Sequence, residues 1–125
     1  MIPVYQTHFR DQGNCFEAAL ASILEINLED VPDFGSDEQW LFRLADFLEP
    51  LDMFYIEIEP VNLEEETILK PMFNKMSIYH FINGTSPRGG PHACVGRNGF
   101  IIHDPHEDGG GLVEIKSWGF IGIRL

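Results

Sequence analysis

The stretch Gln12-Gly13-Asn14-Cys15-Phe16-Glu17-Ala18-Ala19-Leu20-Ala21-Ser22-Ile23-Leu24-Glu25-Ile26 decides how this chain is read. Phe16, Ala19, Leu20, Ile23 and Leu24 recur at three-to-four spacing, which predicts an amphipathic helix over Cys15 to Glu25. Ala18, Ala19, Ala21 and Ser22 give it a small-residue face suited to close packing. Cys15 stands at the start of that helix, where unpaired backbone N–H groups and the helix dipole favour thiolate over thiol. A reactive cysteine with a depressed pKa is the expectation.

The pattern downstream is helical first and extended later. Asn27 to Gly35, with Pro32 and Gly35, reads as a loop. Ser36 or Asp37 is placed to cap a second helix carrying Trp40, Leu41, Leu44, Phe47 and Leu48 and ended by Pro50. Phe54 to Ile58 then reads as a strand, and Glu64-Glu65-Glu66 as a short helix or loop with a solvated face. Met76 to Ile82, Ala93 to Val95, Phe100 to Ile102 and Phe120 to Ile123 are further strand candidates between Gly, Pro and Asn residues. Helices followed by strands give an α+β class, with N-terminal helices packed on an antiparallel β-sheet in a single domain over residues 1–125.

His92 and Asp104 flank the hairpin signal Arg97-Asn98-Gly99. A three-residue loop closed by a left-handed glycine pairs Gly96 with Phe100 and His92 with Asp104, and sets the two side chains on one face. A two-residue Asn98-Gly99 turn pairs Arg97 with Phe100 and separates them onto opposite faces. The three-residue loop is the favoured register, with His103 turned to the other face. Under it Cys15 can act as a nucleophile, His92 as the base that takes and returns its proton, and Asp104 as the group that orients the imidazole. The backbone N–H of Cys15 and a side-chain amide, from Gln6 or Gln12, are the candidate oxyanion donors.

Gln6, Gly13-Asn14-Cys15 entering a helix with Ala18, Ala21 and Ser22, Gly90-Pro91-His92-Ala93, and His103-Asp104-Pro105 before a glycine-rich loop together resemble small bacterial and phage papain-like cysteine peptidases, related to the bacteriocin-processing peptidases. The resemblance spans roughly the whole chain in element order. It implies a papain-like cysteine proteinase fold and hydrolysis of a peptide, isopeptide or related amide bond without a cofactor. The implied roles are nucleophile for Cys15, base for His92, orienter for Asp104 and oxyanion donor for Gln6. Gln6 and Gln12 lie nine and three residues before Cys15, a departure from the family's usual spacing.

Composition narrows the partners. Twenty Asp plus Glu against eight Lys plus Arg give a net charge of −12, which argues against nucleic acid; a peptide or protein substrate is the partner the resemblance implies. The apolar runs are too short for a membrane span and the N-terminus has no signal-peptide pattern, so no membrane association and a cytoplasmic setting are expected. Cys15 and Cys94 are too few for a disulfide framework, and Cys94 reads as core. Three other readings stand beside the hydrolase: a deamidase or acyltransferase on the same triad, a metal site from His103, Asp104 and His106 with His80 or His92, and a binding protein without turnover.

Overall fold

The structure, a computed structural model, describes residues 1–10 and 13–125. In chain order it contains α1 (Cys15–Leu24), α2 (Trp40–Leu48), β1 (Met53–Ile58), α3 (Leu63–Phe73), β2 (Tyr79–Thr85), β3 (Pro91–Arg97), β4 (Phe100–His103) and β5 (Glu114–Ile123). The strands form one sheet in the order β1-β5-β2-β3-β4, with every pairing antiparallel. The class is α+β.

Helix α1 runs as its apolar spacing requires and stops where Glu25 turns left-handed, its N–H closing on the Ala21 carbonyl. Ala18, Ala19, Leu20 and Ala21 are fully buried, and the small side chains let the helix lie close on β2 and β3, where Phe81 and Val95 meet it. Phe16 stacks on Phe81 with centroids 4.5 Å apart and planes 7° from parallel, and meets Trp40 and Tyr55 edge-on. That cluster joins α1, α2, β1 and β2 through one ring. On the opposite face, Phe73 of α3 packs on Ile82 and Trp118.

Several boundaries differ from the sequence reading for local reasons. Gln39, not Ser36 or Asp37, borders α2; Asp37 acts upstream of it, accepting the Gln39 N–H and binding Arg43. The acidic run belongs to α3, an eleven-residue helix whose N-cap Asn62 accepts the Glu65 N–H at 2.8 Å. Weak apolar periodicity and Pro71 inside the helix hid its length. Strand β5 begins at Glu114, not Phe120, because it is a long interior strand, paired with β1 on one side and β2 on the other. Gly119 permits this pairing, since a Cβ there would collide with the Tyr55 ring.

The β3–β4 hairpin corrects the favoured register. Asn98 and Gly99 both have positive φ, 55° and 80°, and Arg97 pairs with Phe100 and Gly96 with Ile101, so the turn is the two-residue form. The register then shifts, Val95 pairing with His103, which leaves Ile102 as an extra residue in β4. One inserted residue reverses the alternation of β4 relative to β3. Continuing the shifted register sets Cys94 opposite Asp104 and His92 diagonal to it, all on one face, with Val95 and His103 on the other.

Phe16→Ala should destabilise the fold by about 3 kcal/mol, because it empties the centre of the aromatic cluster. Urea unfolding with an unchanged m-value and a lower midpoint is the expected result; an unchanged midpoint would show that the cluster does not hold α1 to the sheet.

Candidate functional site

Cys15 is the first residue of α1, and the residue before it fixes the surrounding chain. Asn14 accepts the backbone N–H groups of Thr7 and His8, both at 2.9 Å, and donates to Thr7 Oγ1 at 3.0 Å. Its side chain therefore ties the N-terminal segment to the helix start and makes no cap bond within α1. Gln6 adjoins that anchored segment, its N–H donating to the Pro105 carbonyl at 2.9 Å. Its Nε2 donates to the His8 carbonyl at 3.0 Å, while its buried Oε1 has no partner among the described residues. Gln12 lies outside the described residues.

His92 and Asp104 are brought together. His92 Nε2 donates to Asp104 Oδ1 at 2.6 Å, with the two side chains 4% and 5% exposed. Asp104 Oδ1 also accepts the His106 N–H at 2.9 Å, and Oδ2 accepts the Gly111 N–H at 2.7 Å. Burial pushes the carboxyl pKa up, but the His92 bond and the two backbone N–H groups outweigh it and hold Asp104 below the usual carboxylate range. With Nε2 committed to Asp104, Nδ1 is the ring nitrogen left to accept a proton.

Cys15 lies beside the strand that carries His92. β4 pairing ends at Val95, so the β3 backbone at Ala93 lies beyond it, near enough to the Cys15 sulfur to favour the thiolate. Among the described residues no hydrogen bond links Cys15 to His92 itself. The thiol pKa is raised, which corrects the expectation of a depressed one. Burial is the largest cause and the nearby Glu17 carboxylate adds to it, while Ala93 and the backbone at the helix start pull the other way without prevailing. Desolvation here exceeds the helix-terminus effect.

Cys94 is the residue that the sequence reading placed in the core. It is fully buried, and its Sγ, a His92 ring nitrogen and an Asp104 oxygen lie within 4.8 Å of one another. Burial, then the Asp104 charge, drives its pKa up. Its place two residues after His92 on a strand was the available signal. Gly111 was missed as well, because a loop N–H aimed at a carboxylate leaves no trace in residue type.

The alternative metal set does not converge. His103 Nε2 bonds the Val4 carbonyl at 2.7 Å, with Tyr5 edge-on to its ring. His106 Nδ1 accepts the Asp108 N–H, and its ring centroid is 6.5 Å from that of His92. His80 is buried, its Nε2 accepting the Gly99 N–H at 3.1 Å.

A cavity of about 970 Å³ opens beside the start of α1, with Thr7, His8, Asn14, Glu17 and Asp33 in its lining. Among the described residues, no helix is long and apolar enough to cross a membrane. Compared with protein-family models, curated proteins and solved structures, the chain matches none.

Glu17 Oε2 accepts the Phe34 N–H at 2.9 Å, a bond that a glutamine oxygen can keep. Glu17→Gln should therefore remove charge without freeing the loop and raise the alkylation rate of Cys15 at pH 7 severalfold. An unchanged or slower rate would show that this carboxylate does not bear on the thiol.

Proposed function

We propose that this chain is a papain-like cysteine hydrolase acting on a peptide, isopeptide or related amide bond. The observation that carries the reading is the buried 2.6 Å His92–Asp104 pair, formed one residue along β3 from the Ala93 backbone that lies near the Cys15 sulfur. A surface histidine has no need of a carboxylate held by three donors.

In this reading Cys15 Sγ attacks the amide carbonyl carbon as its proton passes to His92 Nδ1. The tetrahedral oxyanion meets the Cys15 N–H and an amide proton of Gln6, whose side chain turns from His8. The imidazolium then protonates the leaving amine, the C–N bond breaks and a thioester remains on Cys15. Water, losing a proton to Nδ1, attacks the thioester; the acid departs and the thiol recovers its proton. Asp104 stays ionised throughout, holding Nε2 protonated and stabilising the imidazolium. The same thioester serves deamidation or acyl transfer when the leaving group is ammonia or the acceptor is an amine.

With the thiol raised by burial, the neutral thiol is the resting state, and its proton moves as the substrate is attacked. Iodoacetamide labelling of Cys15 should therefore still be climbing at about pH 8.5, where an unperturbed thiol is half ionised. A rate already level between pH 5 and pH 7 would mean a preformed thiolate–imidazolium pair.

Turnover of a fluorogenic peptide-amide library tests the roles. Cys15→Ala should abolish turnover, His92→Ala should lower kcat by roughly 10²–10⁴-fold, and Asp104→Ala should lower it by misorienting the imidazole. His103→Ala, compared per folded molecule, should stay near wild type. The opposite ranking, with His103 essential and Asp104 dispensable, would overturn the assignment.

A further inference from the structure

We infer that His92, Cys94 and Asp104 form a zinc-binding site that switches the proposed hydrolase off. The three donors are a ring nitrogen, a thiol sulfur and a carboxylate oxygen, all within 4.8 Å of one another. Zinc takes this mixture of ligands, and catalytic-type zinc sites use three protein ligands with a fourth position open. Bond lengths of about 2.0–2.3 Å in tetrahedral geometry separate neighbouring donors by about 3.5 Å, so binding draws the most distant donors inward and parts His92 Nε2 from Asp104 Oδ1, now 2.6 Å apart, as the metal replaces the proton between them.

The electrostatics favour occupation. Asp104 carries its charge with a side chain 5% exposed, and a second charge on fully buried Cys94 would be costly alone. One Zn²⁺ with one carboxylate and one thiolate is neutral, so the metal removes the charge that burial opposes. The backbone bonds from His106 and Gly111 already orient the carboxylate and are the outer contacts such a ligand uses. Asp104 also borders a cavity of about 320 Å³ lined by Tyr5, His106 and Gly111, which gives an ion a way in.

The proton balance explains the inhibition. The thiol proton of Cys94 is released to solvent, and the proton on His92 Nε2, displaced by the metal, returns on Nδ1. His92 remains neutral but can no longer accept a proton from Cys15. Binding does not depend on the hydrolase reading; the inhibitory consequence does.

Cobalt(II) titration of the whole protein tests the binding, read as sulfur-to-cobalt charge-transfer absorption. The band should appear in wild type, persist in Cys15→Ala and in wild type alkylated at Cys15, weaken in Asp104→Asn and vanish in Cys94→Ala. Absence of the band in wild type, its loss on blocking Cys15, or its persistence in Cys94→Ala would each overturn the site. The alkylated wild type distinguishes Cys94 from Cys15 as the sulfur ligand even if Cys94→Ala does not fold. Zinc inhibition of hydrolysis, abolished together with the band in Cys94→Ala, tests the switch. A cobalt band with no hydrolysis under any condition would remove the proposed function and leave the metal site standing.

Discussion

One inserted residue determines whether His92 and Asp104 meet at all. The tight Asn98-Gly99 turn, taken alone, sends His92 and Asp104 to opposite faces of the hairpin, and Ile102, unpaired between Ile101 and His103, reverses that outcome. A bulge costs a ladder hydrogen bond and bends the edge strand. Here it also ends the pairing of β4 early, which leaves the β3 backbone at Ala93 open to the sulfur at the start of α1. The His–Asp pair and the approach of the cysteine thus share one local cause.

Around that cause the rest of the chain acts as support. Small residues on α1 let the helix lie close to the sheet, and the Phe16 stack on Phe81 fixes its position there. Asn14 spends its side chain on Thr7 and His8, anchoring the segment beside Gln6 next to the helix start. The glycine-rich loop after β4 supplies the Gly111 N–H that, with His92 and His106, keeps Asp104 ionised despite burial. The cysteine has no comparable set of donors, so burial prevails and its pKa is raised.

Elements with strong periodicity were legible in the sequence. The α1 pattern, the α2 apolar positions and the alternation of β1 are encoded by neighbouring residues, and the structure places them within a few residues of the expected bounds. Features set by distant partners were not. The length of β5 depends on β1 and β2 flanking it, and α3, which carries Pro71 near its end, packs its Phe73 on the distant Ile82 and Trp118. The bulge is the clearest case: Asn98-Gly99 announced a tight turn, His92 and Asp104 announced a pair, and nothing in residue type shows that one extra residue reconciles them. Cys94 reads as core by composition, and only the shifted register shows that it faces the carboxylate.

The central claim is that Cys15 carries the covalent chemistry, with its electrons released by the His92–Asp104 pair. Intact-mass spectrometry of protein quenched in acid during turnover of an activated peptide ester reads this directly. The account predicts a substrate-acyl adduct that hydroxylamine removes, maps to the peptide containing Cys15, and fails to accumulate in His92→Ala at the wild-type rate. An adduct on Cys94, or equally rapid acylation without His92, would contradict it.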